Sequence, residues 1–198
     1  MKIESWELAT LTTEELEELL EGAEETDALE FKQAMNWDDG LVKDILAMAN
    51  IEDGGRIVVG IDDGTFARQG LSDPELDSFN IDRIKDVVGG FADPFVEFAI
   101  SKIQDKRGLM FVVIAVAPFG YTPVICKKDG GRRNELRKGE IYFRSKTRRP
   151  CSERISNSSE MRDLLDRATV LRMRRLQGLG LRAVPDERYD FDRELGGL

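Results

Sequence analysis

The sequence predicts one compact domain of mixed α/β (α+β) class, with helices flanking a mixed sheet. Apolar stretches of strand length alternate with stretches whose apolar residues recur at helical spacing. The chain has 198 residues, which is enough for one domain with its own hydrophobic core. No low-complexity linker divides it. We therefore expect the domain to occupy residues 1–176 and a loosely held tail to occupy residues 177–198.

Four stretches have the pattern of α-helices. The first opens with Thr12 and Glu15, which match a capping box, and continues with leucines on one face. The second ends near Asn50, and either Asp38 or Asp39 can cap its N-terminus. The remaining two are the segments NIDRIKDVVGGF and SSEMRDLLDRATVLRMRRLQ.

Six apolar or alternating segments have the pattern of strands. The stretch from Ile57 to Ile61 is apolar throughout, which predicts a strand covered on both faces. Gly60 lies within it and leaves room for close approach of another backbone or a ligand. A hairpin with Gly108 at its turn follows. In chain order the six segments are ALEFKQ, RIVVGI, PFVEFAISKI, LMFVVIAVAPF, TPVICKK and EIYFRSK.

The composition excludes several kinds of site. The chain contains no histidine and only two cysteines, Cys126 and Cys151, so the usual zinc ligand sets and the catalytic arrangements that need histidine cannot form within it. The sequence contains no P-loop pattern, and no GxGxxG follows a strand. Any catalysis would have to depend on carboxylates, lysines or a bound metal.

No segment looks like a membrane span or an export signal. The longest apolar run, Leu109–Phe119, is far shorter than the roughly 20 residues that a spanning helix needs. The first residues are acidic and lack an apolar stretch with a cleavage site. We therefore expect a cytoplasmic protein with no membrane partner.

Charge is segregated along the chain, although the net charge is −9. The segment Lys127–Arg149 is rich in Lys and Arg, which predicts either a face that binds nucleic acid or a self-complementary assembly. A solvated basic loop is the simpler alternative. Tyr142 and Phe143 alternate across their strand, so at most one should face a nucleic acid and the other should face the core. The candidate phosphate contacts are Arg132, Arg133, Arg137, Lys138, Arg144, Lys146, Arg148 and Arg149.

An acid and a base lie side by side in the first predicted strand. If ALEFKQ is extended, Leu29 and Phe31 face one side of the sheet while Glu30 and Lys32 face the other. An acid and a lysine on one face of a strand can form a solvent-facing ion pair. They can also be a catalytic carboxylate with its lysine. These residues alone leave both interpretations open.

Three segments read together resemble the Schlafen family AlbA-like domain: ETDALEFK, LAMANIEDGGRIVVGIDDG and KGEIYFRSKT. They match, in order, the pattern E-x4-EFK, a helix that ends in AxAN, two glycines before an apolar strand followed by GIDD, and a KGxxYxR strand. The resemblance covers residues 21–168 approximately. It implies a single AlbA-like lobe.

The resemblance also implies a carboxylate metal site, because the acids of the Schlafen nucleases correspond in position to Glu25, Glu30 and Asp63. Such a site would hold Mg²⁺ or Mn²⁺, which prefer oxygen ligands, and would cleave structured RNA such as tRNA or ribosomal RNA. Lys32 would contact the scissile phosphate or pair with Glu30. Arg144 matches the arginine of the family strand, which makes it the first choice among the basic contacts, and an inward structural role for it stays open.

The Schlafen nucleases join two such lobes into a clamp, so a chain with room for one lobe predicts a homodimer. Two other interpretations stay open. One is a non-catalytic DNA- or RNA-binding module, such as a transcriptional regulator. The other is an interaction subunit of a defence or toxin assembly. The resemblance favours RNA over DNA as the partner, whereas the residues themselves do not rank the two.

Overall fold

The structure is a computed structural model that describes residues 11–21, 25–145 and 150–181. The helices are α1 (Thr13–Glu21), α2 (Leu41–Ala49), α3 (Asp73–Ser78), α4 (Ile81–Phe91) and α5 (Ser158–Gly178). The strands are β1 (Leu29–Lys32), β2 (Gly55–Val59), β3 (Ala92–Asp93), β4 (Phe98–Gln104), β5 (Met110–Val116), β6 (Ile125–Cys126), β7 (Tyr142–Arg144) and β8 (Ser152–Arg154).

A four-stranded mixed sheet forms the centre of the domain, in the order β1-β2-β5-β4. β1 and β2 are parallel, and the other two pairs are antiparallel. The pairs β3–β6 and β7–β8 form two short antiparallel ribbons outside this sheet. The predicted α+β class and the β4–β5 hairpin, with Gly108 at its turn, are confirmed.

The central strand β2 is covered on both faces, as its apolar run predicts. Ile57 and Val59 pack into a core with α2 and α4, while Val58 packs on the other side with Leu16 of α1. Phe31 of β1 belongs to the α1 side. Glu30 and Lys32 therefore face the α2 side, as the alternation of a strand requires.

Gly60 allows the chain to turn sharply after β2. Its φ of +112° lies in a region that residues with a Cβ rarely adopt, and a Cβ there would lie 2.8 Å from Leu71 Cδ1 and 2.9 Å from Phe111 Cδ1. Its carbonyl accepts hydrogen bonds from the backbone N–H groups of Gln69 and Gly70, at 2.8 and 3.0 Å. The close approach that the sequence predicts at Gly60 is thus made by the side chains of Leu71 and Phe111. The chain then continues into the rest of the GIDD turn.

Asn50 joins α2 to the strands that follow. Its side chain is 1% exposed, and its amide nitrogen donates to the carbonyls of Leu46, Val124 and Tyr142 at 3.2, 2.9 and 2.9 Å. Its amide oxygen accepts from Val124 N at 2.8 Å. The asparagine that ends the AxAN motif is therefore a fully bonded link between α2, the β6 segment and β7.

Several local features differ from the sequence expectations, among them the two-residue strand β3, which was not expected. α3 was not expected, although its capping box of Ser72 and Glu75 is legible in the sequence SDPE. β8 was not expected either, since its three residues carry no apolar alternation. The N-cap position of α2 belongs to Gly40, and Asp38 instead accepts from Gly40 N at 2.8 Å. The predicted cap of α1 is confirmed, because Thr12 and Glu15 exchange both capping-box hydrogen bonds.

The last helix, α5, reaches two residues into the stretch expected to be a tail, since it ends at Gly178. Of the rest of that predicted tail, residues 182–198 lie outside the described residues. In the part of the chain that the structure describes, no helix is both long enough and apolar enough to cross a membrane.

Candidate nucleic-acid interface and the neighbouring carboxylates

Glu30 is buried between two cations. Its side chain lies on the face of β1 that packs toward α2, and the whole residue is 8% exposed. Lys32 Nζ lies 2.5 Å from Glu30 Oε1 and 3.2 Å from Asp44 Oδ2 of α2. Arg144 Nη1 of β7 donates to the second carboxylate oxygen of Glu30. The acid and base that lie side by side in the sequence are thus part of a four-residue ion network.

Arg144 is fully buried, with an exposed fraction of 0%. Its guanidinium donates from Nε to the carbonyl of Asp27 at 3.2 Å, and from Nη2 to the carbonyls of Thr26 and Leu29 at 2.8 and 3.4 Å. These carbonyls belong to the turn that leads into β1 and to the first residue of that strand. This corrects the expectation that Arg144 contacts a nucleic acid, because a guanidinium with no exposed surface offers nothing to a phosphate. The inward structural role is the one that the structure shows.

Lys32 is held by two carboxylates. Burial disfavours its charged form, but the carboxylates of Asp44 and Glu30 outweigh that effect and raise the pKa of Lys32 above its ordinary value. Lys32 therefore stays protonated. Since its side chain is partly exposed, it can still reach a ligand at the surface, although its ammonium group already has two partners.

Glu25 precedes β1 along the chain, and Asp63 follows β2. Glu25 Oε1 accepts from Phe31 N at 3.3 Å, which places this carboxylate beside β1. Asp63 is exposed in the turn after β2. The preceding Asp62 organises that turn, since its carboxylate accepts from the side chain and the backbone N–H of Thr65, both at 2.8 Å. These hydrogen bonds lower the pKa of Asp62.

The three carboxylates do not form a metal-binding group as they are placed. Within residues 11–21, 25–145 and 150–181, no set of three or more His, Cys, Asp or Glu side chains has a spacing that could hold a metal ion. A cation at Glu30 would also have to displace Lys32 or Arg144, since like charges at that distance repel. The residues therefore do not fit Mg²⁺ or Mn²⁺ in this arrangement, and the metal site of Glu25, Glu30 and Asp63 stays a prediction.

Residues 129–139 form a short excursion between β6 and β7, which we call the basic arm. It presents four exposed cationic residues, Arg132, Arg133, Arg137 and Lys138. Arg132 Nε lies 3.6 Å from Asp38 Oδ2, and the other three extend into solvent. Leu136 anchors the arm, because it is 0% exposed and packs into the main core. Gly130 and Leu136 exchange two backbone hydrogen bonds, at 3.1 and 2.9 Å, which close the base of the arm.

The side chain of Tyr142 fixes the other half of the arm. Its hydroxyl accepts from Arg137 N and donates to the carbonyl of Glu135, both at 2.9 Å. Asp129 Oδ1 accepts from Lys138 N at 3.0 Å. Burial raises the pKa of Tyr142, so its hydroxyl keeps the proton that it donates. Tyr142 is the core-facing member of the Tyr142–Phe143 pair, as the alternation predicts.

The tip of the arm has an unusual backbone. Gly130 and Gly131 have φ values of +147° and +75°, and Arg133 and Asn134 have φ values of +55° and +56°. An arginine in the left-handed region carries a conformational cost, which a surrounding structure must offset. Leu136 supplies that support, through its packing in the core and its backbone hydrogen bonds to Gly130, so the backbone of the arm is held in place.

A polar groove of about 520 Å³ lies beside the arm. Lys43 of α2 and Arg154 of β8 contribute two cations to its lining, and both are paired with acids, Glu135 at 2.9 Å and Glu140 at 3.6 Å. Sequence reasoning missed these two residues. Lys43 lies far from the basic segment Lys127–Arg149 along the chain, so no sequence pattern connects the two. Arg154 lies five residues after the end of that segment.

Three of the predicted contacts, Lys146, Arg148 and Arg149, lie outside the described residues. Of the predicted basic contacts that the structure describes, four form the basic arm and one, Arg144, is interior.

The described residues thus form a single α+β lobe, and the basic arm is an exposed cationic segment on its surface. The chain belongs to the Schlafen AlbA_2 family, whose profile matches residues 25–150. The matched range contains the network around Glu30, the GIDD turn and the basic arm. Family membership points to a nucleic-acid partner.

Two solved structures are similar to this chain. One is the DIP2311 protein from Corynebacterium diphtheriae, at 17% identity and a TM-score of 0.47, with coverage of 74% of this chain and 27% of that chain. The other is the N-terminal domain of a RecG-related protein from Nitrosomonas europaea, at 19% identity and a TM-score of 0.48, with coverage of 74% of this chain and 98% of that chain. No functionally curated protein matches the sequence.

Proposed function

We propose that this chain binds nucleic acid through its basic arm, which contacts the phosphate backbone. The observation that carries the proposal is the combination of four exposed cationic residues with an arm held in one conformation by Leu136 and Tyr142. Because the backbone of the arm is already held in place, binding costs little backbone conformational entropy, and the cations contribute their attraction for phosphate.

The chemistry of the arm favours phosphate contact over base stacking. Tyr142 is buried with its hydroxyl bonded, and Phe143 is half-buried. The arm itself contains no aromatic residue. Proteins that grip unpaired bases use exposed aromatic side chains as stacking platforms. Binding through the arm should therefore depend on charge and salt more than on sequence.

The family resemblance supports two finer predictions. One is metal-dependent cleavage of structured RNA with Mg²⁺ or Mn²⁺, and the other is a preference for RNA over DNA. The placement of Glu25, Glu30 and Asp63 adds no support for cleavage, since these carboxylates do not form a metal-binding group. We retain cleavage as the second candidate. A cytoplasmic location and a homodimer also belong to the proposal.

Fluorescence anisotropy with labelled tRNA, an RNA duplex and a DNA duplex tests the proposal. A variant with Arg132, Arg133, Arg137 and Lys138 all changed to Gln should weaken binding by at least about tenfold and flatten the slope of log affinity against log salt. The matched control changes four exposed cations elsewhere, Arg83, Lys85, Lys102 and Arg107, to Gln, and should bind almost as wild type.

Equal losses in the arm variant and the control would show that net charge alone governs binding, and would overturn the arm as the site. Absence of binding in the wild type at low salt would overturn the function itself. The same mixtures, incubated with EDTA, Mg²⁺ or Mn²⁺ and run on a gel, test cleavage. Asp63→Asn is the informative variant there, because Asp63 is exposed, whereas a change at Glu30 would disturb the buried network.

A further inference from the structure

We infer that Lys43 of α2 is a positioning residue for the basic arm. It holds the carboxylate of Glu135 in the neighbouring groove and thereby keeps that carboxylate away from the arginines of the arm. This role rests on the proposed function, because it concerns the cations that the arm offers to a polyanion. Lys43 acts on binding through Glu135, without touching the nucleic acid itself.

Glu135 is the acid best placed to neutralise the arm from within. The arm contains two acids, Asp129 and Glu135, and the carboxylate of Asp129 accepts from Lys138 N at 3.0 Å. Glu135 stands between Arg133 and Arg137, two positions from each. Two residues span at most about 7 Å of backbone, a distance that an arginine side chain can bridge.

Lys43 directs this carboxylate elsewhere. Lys43 Nζ lies 2.9 Å from Glu135 Oε2, and the two side chains are 28% and 33% exposed. Both residues line the polar groove, whereas none of the four exposed cations of the arm does. Among the described residues, Glu135 forms an ion pair with Lys43 alone. The acid in the middle of the arm is thus paired with a residue 92 positions away and not with its neighbours.

The pair joins two side chains whose backbones are already fixed. The carbonyl of Glu135 accepts from the Tyr142 hydroxyl, and Arg137 N donates to the same hydroxyl, both at 2.9 Å. Leu136, between them, is buried in the core. Lys43 belongs to α2, most of whose residues are buried. A pair on such supports loses less entropy than a pair between two mobile surface residues.

The groove itself is a poor phosphate site, which separates the role of Lys43 from that of the arm. Its lining contains the three acids Glu135, Glu140 and Glu153, and the two cations Lys43 and Arg154. A polyanion would therefore meet a net negative charge there, which repels it. The geometry thus explains Lys43 as the partner of Glu135 and not as a phosphate contact.

Loss of Lys43 should release Glu135 to pair with Arg133 or Arg137. The arm would then offer one cation fewer, and the slope of log affinity against log salt should flatten by about 0.7–0.9, the contribution of one phosphate contact. A double-mutant cycle with labelled tRNA measures the effect. Lys43→Met should lower the affinity at least about threefold in the wild type, and less than about twofold in Glu135→Gln, where no acid is released.

Two controls accompany the cycle. Lys43→Arg keeps the ion pair and should bind as wild type. Lys85→Met removes an exposed cation of α4 and should have little effect on affinity. Equal losses from Lys43→Met in the two backgrounds would show that net charge alone acts. A larger loss in the Glu135→Gln background would show that Lys43 itself contacts phosphate. Either result would overturn the inference.

NMR spectra of the arginine Nε–H groups, recorded without nucleic acid, test the pairing directly. In Lys43→Met the resonance of Arg133 or Arg137 should shift, and it should return to its wild-type position in Lys43→Met/Glu135→Gln. Unchanged resonances in Lys43→Met would overturn the inference whether or not the chain binds RNA. A wild type that binds no RNA at low salt would overturn the proposed function instead, while the spectra still decide the pairing of Glu135.

Discussion

Arg144 and Glu30 form a buried ion pair that ties β7 to β1 across 114 positions of the sequence. The same guanidinium donates to three backbone carbonyls in the turn before β1 and at the first residue of that strand. Lys32 and Asp44 extend the pair into a network in which two cations face two carboxylates. The Glu30–Lys32 pair is thus not an isolated surface ion pair. Arg144 also neutralises Glu30, and Asp44 also neutralises Lys32.

We predict that Arg144→Ala destabilises the protein by about 3–5 kcal/mol, because it removes one partner of a buried ion pair and three hydrogen bonds to backbone carbonyls. Urea unfolding measures this loss. The control is Arg154→Ala, which removes an exposed pair with Glu140 and should cost under about 1 kcal/mol. Similar losses in both variants would mean that the buried pair contributes no more than a surface pair. The double variant Glu30→Gln/Arg144→Met should recover part of the loss, since it removes both charges.

We predict that Asn50→Ala lowers the free energy of unfolding by at least about 1–3 kcal/mol, because buried backbone groups at Val124 and Tyr142 lose their partner. Asn80→Ala is a useful comparison. Asn80 caps α4 by accepting from Arg83 N at 3.0 Å, and its loss should cost about 1 kcal/mol. An Asn50 variant no less stable than the Asn80 variant would contradict the role assigned to the AxAN asparagine.

Stability should fall in acid through Glu17 of α1. Hydrogen bonds from Arg68, at 2.9 and 3.1 Å, and from Lys106 N, at 2.8 Å, lower the pKa of Glu17 below its ordinary value of 4.5. Because the folded pKa is the lower one, the stabilisation is complete above pH 4.5 and is lost as the pH falls through the folded pKa.

Urea midpoints of wild type and Glu17→Gln, measured from pH 7 downward, check this dependence. The wild type should be the more stable at neutral pH, and the two curves should converge in acid. Glu18→Gln changes an exposed neighbour on the same helix and should follow the wild type throughout. Curves of wild type and Glu17→Gln that run parallel across the acid range would exclude Glu17 as the titrating group.

We predict that Mg²⁺ alone does not raise the melting temperature, because Glu30 is already neutralised and the described carboxylates are not gathered for a metal. Mg²⁺ commonly depends on substrate phosphates for part of its coordination, so an effect that appears only with RNA would be compatible with the family resemblance. Thermal unfolding with Mg²⁺ or EDTA measures this. A rise in melting temperature without RNA that Asp63→Asn abolishes would show a preformed metal site.

The sequence predicted much of the fold because local pattern and local structure agree. The apolar run around Ile57 required a strand with cover on both faces, and the capping box at Thr12 required a helix start. The Leu136 anchor was less evident, since a single leucine among arginines has no periodicity to identify it. The basic arm was visible as a charged segment, while its conformation was not.

The sequence by itself determined that Glu30 and Lys32 share one face of β1 and that Tyr142 and Phe143 lie on opposite faces of β7, because side chains alternate along an extended backbone. Only the tertiary structure decided that Arg144 is interior, while Arg132, Arg133, Arg137 and Lys138 are exposed. All five are cations from one basic segment. They differ because β7 packs against α2 and brings Arg144 to Glu30, and the burial of a charge depends on the partner that a distant segment supplies.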